Sequence, residues 1–151
     1  MQGKVITALI VRHAEVNSEH GEDNPSLSPA GLKRAQSLLH IIGEAGITSI
    51  YTTQLCRSVQ TAEPLATHLG LDINEISDVN KLVKQVLTKQ DDEVIFIVGH
   101  TDTIPEIIKQ LGGNLLDPIT ASEFDNMYIT TFYKPENTDQ NLLSNVVRLK
   151  Y

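Results

Sequence analysis

KVITALIVRHAE, residues Lys4 to Glu15, decides how the rest of the chain is read. Through Arg12 the stretch is β-branched and almost continuously apolar, the pattern of a strand covered on both faces. The run then gives way to Arg12, His13 and Glu15, so the strand ends in reactive side chains. A second buried run, Glu93 to Val98 (EVIFIV), closes on Gly99-His100 in the same manner. Strands covered on both faces require helices above and below the sheet, and in such sheets ligands collect beyond the carboxyl ends of the strands. Each histidine alone reads as a polar residue closing a strand. Together, beside Arg12, they point to one site.

Working outward, a polar loop through Gly21 to Pro25 leads to Ser28-Pro29, an N-cap followed by proline in the first helical position. Apolar residues then recur at Leu32, Ala35, Leu38, Leu39 and Ile42, which predicts a helix ending near Gly43 or Gly46. Ile47 to Thr52 reads as a short strand. A helix from about Leu55 to His68 stops before Gly70, and Pro64 is expected to bend or interrupt it. Asp72 to Ile76 reads as a third strand, and Asp78 to Lys89 as a helix with Val79, Leu82, Val83, Val86 and Leu87 on one face. Thr103 or Asp102 caps a helix over Ile104 to Leu111, with Pro105 in its first turn and Gly112-Gly113 after it. Asn126 to Tyr133 and Asn145 to Tyr151 alternate apolar and polar residues, as late strands of an antiparallel extension do. The expected fold class is α/β, a three-layer α/β/α sandwich with a mainly parallel central sheet. With no repeat or linker-like composition shift, the expectation is a single domain over residues 1–151.

Several function classes are excluded by composition. A net charge of -7 without any Lys/Arg cluster argues against nucleic-acid binding. Apolar runs such as Val94 to Val98 are far too short to span a membrane, and no apolar segment with a cleavage site opens the chain. The expected location is the cytoplasm, with an export leader already removed as the alternative. Cys56 is the single cysteine, so no internal disulfide and no zinc-type Cys/His set exists. The residue six after Cys56 is Ala62, which rules out the Cys-x5-Arg device of cysteine phosphatases. His13-Ala14-Glu15 matches the H-x-E element of zinc deaminases but lacks the P-C-x-x-C partner. A nucleotide-binding phosphate loop is absent as well. His20, His40 and His68 have no motif partners and read as loop or helix-surface residues.

Four blocks in order carry a resemblance to the histidine phosphatase superfamily, also called phosphoglycerate-mutase-like. Leu9-Ile10-Val11-Arg12-His13-Ala14-Glu15 resembles its Arg-His-Gly or Arg-His-Ala signature. Leu27 to Ala35 (LSPAGLKRA) is similar to its L-[ST]-x-x-G-x-x-[RQ]-A segment. Ile50-Tyr51-Thr52-Thr53 followed by Arg57 to Ala62 (RSVQTA) resembles its R-x-x-Q-T-A, and Val98 to Thr103 (VGHTDT) lies near its second-histidine motif. The resemblance implies a phosphoryl transfer to His13 and then to water. Neutral imidazole is a competent nucleophile near pH 7, and its other nitrogen is expected to donate to a backbone carbonyl. Arg12 and Arg57 supply forked, permanently charged donors for phosphate oxygens, and His100 holds another oxygen. No cofactor and no metal ion is required. Glu15 is expected to orient Arg12 or His100, or to be a plain loop residue. Thr101 and Thr103 offer hydroxyls to the substrate or cap the next helix.

An alkyl monoester also needs an acid near His13. By resemblance the loop after the third strand provides it, which here offers Glu75 and Asp78; Asp78 is equally a natural N-cap, and Asp102 is a third choice. Ala14 stands where glycine is usual. Nothing between Ala62 and Val94 is long enough to shield an intermediate from water, so hydrolysis is expected over mutase-type transfer. The expected partner is a phosphorylated small molecule or a phosphoprotein, as phosphomonoester or phosphohistidine. A catalytically silent phosphate-binding module is the alternative.

Overall fold

The computed structural model describes residues 3–18, 23–114, 117–134 and 143–151. His20 and the Gly21 end of the first loop lie outside them. In chain order the elements are β1 (Lys4–Arg12), α1 (Pro29–Ile42), β2 (Ser49–Thr52), α2 (Cys56–Leu69), β3 (Ile73–Glu75), α3 (Val79–Leu87), β4 (Glu93–Gly99), α4 (Thr103–Gln110), β5 (Asn126–Lys134) and β6 (Leu143–Lys150). The six strands form one sheet in the order β3-β2-β4-β1-β5-β6.

The sheet is mixed, which corrects the mainly parallel expectation in part. From β3 to β1 every pairing is parallel, whereas β5 runs antiparallel to β1 and β6 antiparallel to β5. The parallel half needs covered strands, and β1 and β4 meet that need with Ala8, Ile10, Ile95 and Phe96 fully buried. The alternating sequences of β5 and β6 suit the less covered antiparallel half. On one face Leu9, Val11, Phe96 and Val98 pack against Leu38 and Ile42 of α1 and Ala62 and Leu65 of α2. On the other, Ile10, Ile95 and Ile97 pack against Leu82, Val83 and Val86 of α3 and Ile104, Ile107 and Ile108 of α4. Each fully buried aliphatic side chain contributes roughly 1.5–3 kcal/mol of transfer free energy, so these two layers fix the sheet between the helix pairs.

Two local expectations change. Pro64 lies inside α2, which runs without interruption from Cys56 to Leu69. The ring removes one hydrogen bond to the preceding turn. Burial of Ala62, Leu65 and Ala66 around it holds the helix through that loss. In α1 the buried face is Gly31, Ala35, Leu38 and Ile42, spaced by four, three and four residues. Leu32 sits about 100° around the helix from that stripe and is half exposed.

The connection from β1 leads toward β2 on one side of the sheet, and the connection from β4 leads toward β5 on the other. Strand order therefore reverses between β1 and β4. A crevice at the carboxyl ends of such a pair is where α/β sheets take ligands.

Candidate active site

Parallel register sets Arg12 opposite Gly99, and the His13 N-H donates to the Gly99 carbonyl at 3.1 Å. His13 and His100 thus leave adjacent strands side by side, with ring centroids 5.2 Å apart. Glycine precedes His100 for a steric reason. A Cβ at position 99 would come within 2.9 Å of Ile104 Cγ1 and 3.2 Å of Thr103 Oγ1, where α4 begins.

The His13 ring is 6% exposed, and its Nδ1 lies 2.8 Å from the Ala14 carbonyl oxygen. A carbonyl only accepts, so Nδ1 carries the proton and Nε2 keeps its lone pair. Burial pulls the His13 pKa down to about 4, aided by His100, Arg12 and Arg57 and opposed by the bond to Ala14. The ring is neutral at pH 7. Burial and the charge of Arg57 also lower His100, with Asp102 pushing the other way. Nε2 of His100 meets Thr53 Oγ1 at 3.0 Å, while its backbone N-H donates to Thr103 Oγ1 at 2.9 Å.

Arg12 is held from the far side by the loop that precedes β5. Its Nη1 donates to the carbonyls of Ala121 and Glu123, each at 2.8 Å, and the guanidinium lies 3.9 Å over the Phe124 ring. The same ring stands edge-on to His13 at 6.0 Å. Nε of Arg12 is buried without a hydrogen-bond partner among the described residues. Burial and Arg57 lower the Arg12 pKa, Glu15 and Glu123 raise it, and a guanidinium stays charged through such shifts.

The loop is itself braced through Glu123, whose carboxylate accepts from Asn126 Nδ2, Thr120 N and Thr120 Oγ1. Those bonds, from Asn126 first, hold its pKa down to about 2.

Arg57 sits in the first turn of α2, where the positive end of the helix adds to its charge. The rest of the RSVQTA block ties that helix to the other blocks. Gln60 Oε1 accepts the Leu27 N-H at 2.8 Å, Thr61 Oγ1 accepts the Ala14 N-H at 2.9 Å, and Ala62 is fully buried.

Arg12, His13, Arg57 and His100 all line one cavity of about 740 Å³. Thr53, Gln54, Ser77, Thr101 and Asp102 are also in its wall. The remaining candidates divide. Thr101 and Asp102 reach the cavity; Asp102 occupies the N-cap of α4 without a side-chain capping bond. Thr103 also lines it, but its hydroxyl is taken by the His100 backbone. Glu75 and Asp78, the acids expected from that loop, are outside the lining, although Ser77 between them is in it. Glu75 ends an edge strand and is exposed, and Asp78 caps α3 by accepting the Lys81 N-H at 3.1 Å.

Glu15 is likewise outside the wall, and its carboxylate goes to Arg34 rather than to Arg12 or His100, with Nε at 2.6 Å and Nη2 at 3.2 Å. Burial raises the Glu15 pKa, but the bonds from Arg34 and the backbone outweigh it and leave it lowered. Among the described residues no group of three His, Cys, Asp or Glu side chains is placed to hold a metal ion.

Sequence reasoning gave Thr53 no role beyond its place in a resembling block and passed over Phe124. Thr53 directly follows β2 and so reaches the same sheet edge as the two histidines. Phe124 precedes β5, whose antiparallel direction returns its start to the carboxyl end of β1. The signal for both was strand direction.

Two guanidinium groups and two imidazoles around one cavity can hold a tetrahedral anion and present it to a neutral nitrogen nucleophile. Residues 8–80 match the family model of the histidine phosphatase superfamily, branch 1. No curated protein matches the chain.

Among solved structures, the chain is similar to a protein assigned as the phosphohistidine phosphatase SixA from Nakamurella multipartitia, at TM-score 0.65 and 17% identity over 87% of each chain. It is similar to a mycobacterial glucosyl-3-phosphoglycerate phosphatase at TM-score 0.62 and 14% identity, over 85% of this chain and 91% of that one. A phosphoglycerate mutase from Plasmodium falciparum aligns at TM-score 0.58 and 15% identity, over 98% and 91%. Over residues 8–80, just under half of the chain, the sequence is similar to the histidine phosphatase superfamily, and the fold is shared with solved phosphatases and a mutase.

Proposed function

We propose that this protein is a phosphatase that carries the phosphoryl group covalently on Nε2 of His13. The observation that carries the reading is the His13 ring: neutral, with Nδ1 committed to the Ala14 carbonyl and Nε2 without a hydrogen-bond partner among the described residues. In the first step the Nε2 lone pair forms a bond to phosphorus as the bond to the leaving atom breaks, and the leaving group departs with that electron pair. Arg12, Arg57 and His100 hold the charge spread over the three equatorial oxygens. In the second step water attacks phosphorus, loses a proton, and the N-P bond returns its electrons to Nε2. Inorganic phosphate and neutral His13 result.

The leaving group decides the substrate. A carboxylic acid poised to protonate an alkoxide at neutral pH is normally kept buried. Asp102 is the carboxyl side chain in the cavity wall among the described residues, and it is exposed. That favours substrates whose leaving group departs with little protonation, a phosphorylated histidine of another protein before an alkyl phosphomonoester. The stretch between Ala62 and Val94 supports hydrolysis over mutase-type transfer, since it is spent on the end of α2, β3 and the core-packed α3. Turnover of p-nitrophenyl phosphate by the purified protein, and its loss in His13→Ala, tests the proposal. Binding of phosphate without turnover would instead make the protein a silent phosphate-binding module.

A further inference from the structure

Outside the phosphate pocket itself, no Lys or Arg among the described residues lines the cavity. The chain has 12 Lys and Arg residues, and among the described residues Arg12 and Arg57 are the two that line the cavity. The stretches outside the described residues, 1–2, 19–22, 115–116 and 135–142, contain neither Lys nor Arg. Several other cations are already paired: Arg34 with Glu15, Lys89 with Glu93, Arg148 with Asp117 and Lys150 with Asp125. Within the pocket, Arg12 has already committed Nη1 to loop carbonyls. The transferred phosphoryl group, with two negative charges, therefore takes up the cationic capacity that the site has.

Beyond it the described wall is uncharged apart from one carboxylate, Asp102, with Thr53, Gln54, Ser77 and Thr101 as its polar members and Val16 and Leu55 as its apolar ones. Asp102 stands at the start of α4, makes no capping bond and is exposed, so its charge faces whatever occupies the cavity. A leaving group bearing a carboxylate or second phosphate would meet no counter-charge there and would be repelled by Asp102. A leaving group bearing an ammonium would be attracted.

Resting on the phosphatase reading, we infer that the site selects phosphoryl substrates whose leaving portion is neutral or cationic, and discriminates against a second anion, with Asp102 as the specificity-determining residue. The acidic body of the protein, at net charge -7, acts in the same direction.

Three aryl phosphates with nearly equal leaving groups test this: 4-(aminomethyl)phenyl, 4-methylphenyl and 4-(carboxymethyl)phenyl phosphate. The expected kcat/KM falls in that order, by about tenfold from first to last at low ionic strength, and the spread narrows in salt. In Asp102→Asn the spread shrinks to about threefold. The inference is overturned if the carboxymethyl ester is used as well as the methyl ester, or if Asp102→Asn leaves the spread unchanged. Absence of turnover for all three, or turnover that survives in His13→Ala, would sink the phosphatase reading instead. Calorimetric binding of the same three esters to the wild-type protein then decides the charge preference by itself, with the same order expected.

Discussion

The hydroxyl of Thr61 accepts the backbone N-H of Ala14 at 2.9 Å and donates to the Arg57 carbonyl at 2.7 Å. One side chain thus joins the residue after the proposed nucleophile to the backbone of the residue that supplies the second guanidinium. It makes β1 and α2 a single frame, so the separation of His13 and Arg57 does not depend on loop conformation.

Thr61 is fully buried, and Thr61→Val leaves the Ala14 N-H without an acceptor. The expected cost is about 1–3 kcal/mol of stability. Activity is expected to fall further than folding does, because the two groups proposed for catalysis lose their common anchor. Thermal melts paired with kcat/KM check this, and Thr61→Ser should restore most of both. Full activity in a folded Thr61→Val protein would refute the coupling.

Phe124 gives Arg12 an aromatic face at 3.9 Å and shares its ring edge with His13. Cation-π contacts of this kind are worth about 0.5–2 kcal/mol. Phe124→Ala is therefore expected to weaken competitive inhibition by inorganic phosphate by roughly threefold to tenfold. Phe124→Tyr, which keeps the ring, is expected to stay near wild type. An inhibition constant unmoved by Phe124→Ala would show that the ring does not hold Arg12.

The pH dependence follows from the lowered pKa of His13. Protonating Nε2 removes the nucleophile, so kcat/KM, corrected for ionisation of the substrate phosphate, should hold level down to about pH 5 and fall around pH 4. Stability obeys the same shift. With a folded pKa of about 4 against 6.5 for the free ring, the unfolded chain takes up the proton first as pH falls. His13 therefore favours folding above pH 6.5, and that contribution is lost between 6.5 and 4. Wild type should lose melting temperature through this window more steeply than His13→Asn. Glu123, lowered to about 2 from 4.5, adds a separate loss below pH 4.5. A rate profile breaking near 6.5 would mean that the ring is solvated.

How much of this was readable beforehand varies by element. β1 was legible to the residue, since a β-branched run bounded by Arg12-His13 has one good reading, and Ser28-Pro29 announced α1. The antiparallel extension by β5 and β6 was legible from their alternation, but not which strand β5 would join, because strand pairing is a tertiary choice. Asp78 shows the limit for the site. Its sequence position fits both an acid and a helix cap, and the structure shows the cap, in the bond from the Lys81 N-H. Arg34 posed the reverse problem: it lies within the LSPAGLKRA block, yet its partner Glu15 is 19 residues earlier and was assigned elsewhere. The glycine of that block has a purely steric reason, since a Cβ on Gly31 would overlap the Glu15 carbonyl oxygen.

Gly31→Ala is expected to be among the most damaging single substitutions, because the obstruction is backbone rather than a movable side chain. Loss of soluble protein, or a melting temperature lower by about 8 °C or more, is the expected result. A melt within 2 °C of wild type would show that α1 can slide away from Glu15.

The covalent intermediate is tested most directly by quenching turnover of a ³²P-labelled aryl phosphate within milliseconds and mapping the label. The expected result is a phosphoryl group that survives alkali, is lost in acid, and lies on the peptide containing His13. Turnover at an undiminished rate with no label on that peptide, or a protein equally active after His13→Ala, would contradict it.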